Sequence, residues 1–133
     1  MIEKYPFGDF VPSKMKYLLL GSFPGVKTDS YDWFYGSQRS QFWPIIEQVY
    51  AISLNNIENR KKLFTQLKIG ISDIISQCER RDANNSDSNL INITYNITGI
   101  SDVLKQNNIE KIFYWHGMKY IGWDFYVKKL LLL

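Results

Sequence analysis

Between Tyr17 and Gly25 the chain goes from an unbroken apolar run to a forced turn, and this constrains the fold most. Tyr17-Leu-Leu-Leu20 is short and carries no polar alternation. Such a run fits a strand buried on both faces of a parallel sheet, here Lys16 to Leu20. Gly21-Ser-Phe-Pro-Gly25 then breaks it and turns the chain at the strand's C-terminal end. In open α/β sheets, ligands bind at that edge. A second loop brings Trp33-Phe-Tyr-Gly36 and Ser37-Gln-Arg-Ser40 toward a helix start. Polar groups, a flat aromatic and a helix N-terminus are thus expected over one strand end, suited to a planar, polar, partly anionic ligand such as a nucleotide.

The rest of the chain reads as alternating elements. Residues 1–14, with Pro6, Gly8 and Pro12, read as an irregular lead-in whose Tyr5, Phe7 and Phe10 cover the sheet. Phe42, Ile45, Ile46, Val49 and Tyr50 recur at helical spacing and predict a helix over 41–52, capped by Ser37 or Ser40. A second helix is expected over 56–67, with Leu63, Phe64 and Leu67 inward. Its Arg60-Lys-Lys62 run reads as a solvated face. Ile69 to Ile75 is β-branched and reads as one strand, and residues 76–88 as a polar loop. Residues 90–93 read as a short extended piece. A third helix over 97–107 has Ser101 as its cap and Ile100, Val103 and Leu104 inward. Lys111 to Trp115 reads as a strand, and residues 118–133 as a last helix. This order predicts an α/β protein, a three-layer αβα sandwich around a central, mostly parallel sheet.

The 133 residues suit one domain. The net charge of +3 is mildly basic, and by itself says little about nucleic acid. Aromatic content of 16% is high; core packing takes most of it and base stacking could take the rest. A single cysteine, Cys78, excludes an internal disulfide and a cysteine-based zinc site, and reads as a structural thiol. The N-terminus lacks the apolar segment of a secretory signal, and no run is long enough to span a bilayer, so a cytoplasmic protein is expected.

Several segments together resemble the uracil-DNA glycosylase superfamily, nearest its mismatch-specific and deoxyinosine (hypoxanthine) glycosylase branch. They are Gly21-Ser-Phe-Pro-Gly25 after a strand, Phe34-Tyr-Gly-Ser-Gln-Arg-Ser-Gln-Phe-Trp43, Asp73-Ile-Ile-Ser-Gln-Cys-Glu-Arg80 with Ser86-Asp-Ser88, and Phe113-Tyr-Trp-His-Gly117. The resemblance spans Lys16 to about Val127. It departs in two places. Ser40 stands where the branch carries a catalytic Asn. The loop that enters the DNA minor groove, with the strand before it, has no counterpart, so the chain reads as a shortened member with its last strand missing.

The resemblance implies hydrolysis of the N-glycosidic bond of a deaminated base, uracil or hypoxanthine, flipped out of DNA. It implies that Gly21, Ser22, Phe23, Pro24, Gly25, Tyr35 and Gly36 bind the base, with Tyr35 as the stacking face. Ser40 or Asp73 would hold the attacking water, and Arg39 and Lys27 would meet DNA phosphates. Neither metal nor cofactor is required, because the reaction needs a positioned water and a stabilised leaving anion. Plainer roles stand beside these. Tyr35 can be a loop aromatic packed on the core, and Phe42 and Trp43 core residues. Arg39 can pair with Glu47. Asp73 can cap a loop, Asp87 can organise one, and His116 can be a turn residue. A non-catalytic nucleic-acid-binding relative is the alternative function. A Rossmann-like nucleotide enzyme is disfavoured, because Gly21 and Gly25 do not form a dinucleotide fingerprint.

Overall fold

Strand β2, Tyr17–Gly21, is the centre of the computed structural model. The structure describes residues 1–4, 6–24, 32–36, 40–82 and 89–115. Gly25, Lys27, Arg39, Ser37, Tyr5, Asp87, His116 and the expected last helix lie outside the described residues. With Leu18 and Leu20 wholly buried on one face and Leu19 on the other, β2 could only form inside a sheet.

The remaining elements, in chain order, are β1 (Ile2–Lys4) before it, then α1 (Phe42–Tyr50), α2 (Ile57–Leu67), β3 (Ile69–Asp73), β4 (Ile75–Arg80), β5 (Leu90–Tyr95), α3 (Ile97–Gln106) and β6 (Lys111–Tyr114). The described residues thus form a small α/β protein with two three-stranded sheets and three helices. One sheet, ordered β3-β2-β6, is parallel. The other, ordered β1-β4-β5, is antiparallel. The paired strands are therefore divided between two orientations rather than gathered in one mostly parallel sheet. The division falls at Ile74. There the backbone bends, with Ile74 N donating to Gly21 O at 2.8 Å and Ile75 N to Ser22 O at 3.1 Å. The segment 69–75, expected as one strand, thus crosses from the parallel sheet into the antiparallel one.

Two layers of core lie on opposite faces of β2. Leu18 and Leu20 pack with Met15, Ile74, Ile75, Cys78, Leu90, Ile100 and Val103. Leu19 packs with Ile71, Trp33, Phe34, Phe42, Trp43, Leu54, Leu63 and Phe64. Phe7 and Phe10 join the second layer as expected, and Phe10 exchanges backbone bonds with Ile71 at 2.9 Å, covering the outer edge of β3.

Three local readings need correction. Residues 76–80 are strand, not polar loop. β4 buries Ile75 and Cys78 instead of alternate residues, because irregular register against β5 breaks the two-residue period. In α1 only Phe42 and Trp43 are fully buried, and Val49 is 66% exposed, because the helix rests its N-terminal turn, not its whole length, on the sheet. Finally α3 starts at Ile97, so Ser101 lies inside it. Asn96 precedes the helix and sends its side chain to Ser72 and Asp73 instead.

Candidate functional site

Gly21 ends β2 directly beside Asp73, the last residue of β3, in parallel register. Both side-chain positions point to the aromatic face. A Cβ on Gly21 would lie 2.5 Å from Asp73 Oδ1 and 2.8 Å from the Tyr35 hydroxyl. Three residues far apart in sequence thus converge on one bare Cα, and only glycine fits there.

Tyr35 reaches this point from a loop with no regular structure, and each of its supports is directional. Trp43 Nε1 donates to Phe34 O at 2.7 Å in the buried interior. Gly36 N donates to Trp33 O at 3.0 Å and closes a turn. Arg60 stacks over Trp43, donates from Nε to Leu54 O at 2.8 Å, and pairs with Asp32 at 3.2 Å. Arg60, expected on a solvated face, is buried instead, because three neighbours use its planar guanidinium. The result holds Tyr35 at φ 56°, a left-handed conformation that a bulky residue rarely takes. Such an outlier persists only where its surroundings over-determine it, and it marks a site worth testing for function.

The Tyr35 ring rests on Phe42, with centroids 4.4 Å apart. Its residue is only half-buried, yet its hydroxyl is fully buried and has no hydrogen-bond partner among the described residues. Burial pushes the phenol well above its ordinary value, and the neighbouring Asp73 and Tyr114 push it further in the same direction. Tyr35 is therefore a neutral hydroxyl at any physiological pH.

Asp73 is 4% exposed. Its backbone is fixed from behind: Asn96 Nδ2 donates to Asp73 O and to Ser72 Oγ, each at 3.1 Å, and Ser72 Oγ donates to Asp9 Oδ1 at 2.5 Å. The loop Ser22-Phe23-Pro24 is fixed from the other side by Arg80. Its guanidinium donates to Pro24 O at 3.0 Å, lies over the Phe23 ring, and forks onto the Glu3 carboxylate at 3.0 and 3.4 Å. Phe23 also packs against the aliphatic layer.

Of the residues expected at the site, Gly21, Tyr35 and Asp73 meet in one place. Ser22, Phe23 and Pro24 continue from Gly21, and Gly36 shapes the turn behind Tyr35. Ser40 lies one residue before Gln41, the N-cap of α1, and its Oγ accepts from Phe42 N at 3.4 Å. Phe42 and Trp43 are core residues, 5% and 2% exposed. Glu47, offered as a partner for Arg39, accepts from Leu54 N at 2.9 Å. The sequence reading missed Tyr114, Asn96, Arg60 and the clasp made by Arg80. Arg80 had one legible signal, as the last residue of the Asp73–Arg80 segment.

Burial pushes the Cys78 thiol up; Arg80 opposes this and Glu3 adds to it. The thiol is an inert core group, as expected. No three His, Cys, Asp or Glu side chains gather among the described residues, and no described helix is long and apolar enough to cross a membrane. No family model, curated protein or solved structure matches the chain.

Proposed function

We propose that the chain is a DNA glycosylase-like protein that hydrolyses the N-glycosidic bond of a deaminated base flipped out of DNA. One observation carries the reading. Tyr35, in a strained loop, has its ring at the C-terminal end of the central parallel strand and its hydroxyl beside Asp73. A half-buried aromatic face gives a base something to stack on. A carboxylate next to it gives the chemistry a group to hold water. On this reading the parallel sheet, with α1 and α2 on one face and α3 on the other, is the centre of a three-layer sandwich, and the antiparallel sheet is an addition to it. The protein then works in the cytoplasm on nucleoid DNA, with no metal or cofactor.

Ser40 favours the second reading, a weak or inactive nucleic-acid-binding relative. Its hydroxyl accepts from Phe42 N at the start of α1, and it is shorter than the amide of the family Asn. Both readings expect weak, salt-dependent DNA binding, because a net charge of +3 allows few phosphate contacts.

Base release from labelled oligonucleotides separates them. Uracil and hypoxanthine are placed in single-stranded, mismatched and fully paired DNA. The first reading expects slow release that is fastest from single strands and mismatches, where flipping costs least. No release from any substrate leaves the second. Tyr35→Ala weakens binding to DNA with an abasic site by about 1–3 kcal/mol, the scale of base–aromatic stacking. Unchanged affinity in that variant removes Tyr35 as the stacking face.

A further inference from the structure

The backbone from Gly21 to Pro24 is held by its carbonyls. Gly21 O and Ser22 O accept from Ile74 N and Ile75 N, at the bend between β3 and β4. Pro24 O accepts instead from a side chain, Arg80 Nη2 at 3.0 Å, at the far end of β4. The same Nη2 donates to Glu3 Oε1 at 3.4 Å, while Nε donates to Glu3 Oε2 at 3.0 Å. A guanidinium is planar, and its N–H groups leave it in fixed directions. The fork onto Glu3 therefore sets the plane of the group, and with it the direction of the N–H that meets Pro24 O. Arg80 Cζ also lies over the Phe23 ring, 5.9 Å from its centroid. The ion pair is nearly out of water, its side chains 7% and 14% exposed. A guanidinium so enclosed is costly without its carboxylate. If Glu3 leaves, Arg80 either stays as an uncompensated charge or turns out to water and gives up Pro24 O. Glu3 is held by β1, opposite Cys78 of β4, and its neighbours Ile2 and Lys4 are both exposed. Docking of this three-residue strand thus amounts chiefly to setting Glu3 on Arg80.

We infer that Glu3 and Arg80 are positioning residues for the Ser22-Phe23-Pro24 loop, and that docking of β1 is coupled through them to ligand binding at that loop. The antiparallel sheet then sets the shape of a loop that the parallel sheet carries. The ligand half of this inference rests on the glycosylase reading of the loop; the positioning half does not. Coupling between two equilibria is reciprocal. A ligand that needs the loop as Arg80 holds it must therefore also hold β1 in place.

The test follows backbone amide resonances of the full chain, with no ligand present. Glu3→Gln keeps the shape of the side chain and removes its charge; Lys4→Gln alters β1 outside the ion pair. Glu3→Gln should shift Ser22 and Phe23 and leave Leu18 and Leu19 in place, and Lys4→Gln should shift none of them. Shifts confined to β1 and β4, or equal in the two variants, overturn the positioning role. Arg80→Lys keeps the charge without the planar fork. It should shift Ser22 and Phe23 too; unmoved resonances there mean that charge alone suffices, and the fork is not what aims the loop. The coupling is read with an oligonucleotide carrying an abasic site. Glu3→Gln should weaken its binding about five-fold or more. In the wild type, saturating oligonucleotide should slow hydrogen exchange at the β1–β4 pairing by a comparable factor. Affinity lost in Tyr35→Ala but kept in Glu3→Gln, or exchange that ignores the oligonucleotide, removes the coupling and leaves the glycosylase reading standing. If the wild type binds no oligonucleotide, that reading and the coupling fall together, and the resonances still decide the positioning role.

Discussion

Toward α3, strand β2 presents Leu18 and Leu20 to an aliphatic layer; toward α1 and α2 it presents Leu19 to an aromatic one. The aliphatic layer holds regular structure. Its members Ile75, Cys78, Leu90, Ile100 and Val103 come from strands and a helix, whose backbone bonds are already made within those elements. The aromatic layer holds residues 32–36, which belong to no helix or strand and are closed by a turn bond from Gly36 N to Trp33 O. Rings meet there at set angles, as in Phe42 against Trp43 at 4.8 Å and 77°, and Phe10 against Trp33 at 5.5 Å and 82°. The indole N–H of Trp43 also supplies a hydrogen bond from inside the layer. Aliphatic packing is non-directional, so it can fill space but cannot aim a loop. Aromatic packing has preferred geometry and polar handles. The high aromatic content of the chain is thus explained chiefly by the need to fix an irregular loop over a strand end.

The widest contrast is between Trp43→Ala and Leu18→Ala. The first should cost about 3–5 kcal/mol and the second about 2–5 kcal/mol, both from denaturant midpoints. Only Trp43→Ala should also free Tyr35, seen as its phenol titrating closer to the ordinary value. The same titration change in Leu18→Ala would erase the division of labour. Next in size is Arg60→Ala, expected to cost about 1–3 kcal/mol by leaving the Leu54 carbonyl unpaired and uncovering Trp43. It should loosen Tyr35 as well, and a loss of stability with Tyr35 unmoved would confine Arg60 to α2. The smallest effect is one of pH. The phenol of Tyr35 is raised in the folded state above the ordinary 10.0. Its unfolded form therefore ionises first, and the stability it contributes is intact below pH 10 and lost as pH rises beyond it. Melting curves across that range should fall more steeply for wild type than for Tyr35→Phe; parallel curves would mean that the hydroxyl is not sequestered.

The parts of the fold written in short-range pattern were legible. The run at Leu18–Leu20, the inward Leu63 and Phe64 of α2, and the inward Ile100 and Val103 all depend on neighbours in sequence. The antiparallel sheet was not legible, because its signals are non-local. β1 has three residues, with Ile2 59% exposed, and among the described residues it is paired with β4, far away in sequence. β4 carries polar residues through an irregular register. At the site, Gly21 and Tyr35 announce themselves by glycine and aromatic type. Asp73 was visible only through the resemblance, since nothing local distinguishes it from a loop carboxylate. Arg60 misled because a basic triplet says nothing about which of its members turns inward.

The order of the parallel sheet also sets a timetable for synthesis. β2 pairs on one side with Ile69–Asp73 and on the other with Lys111–Tyr114. A ribosome that has released residues only as far as α3 has produced a central strand with one partner and one open edge. Loop closure of this length must precede any reward from contact, so the strand is intrinsically slow to be enclosed. Until Tyr114 emerges, Leu18 to Leu20 is the kind of apolar, unpaired segment that recruits other chains. Low temperature during expression, or a holdase present in that interval, should therefore raise the soluble yield more than any change to the finished surface.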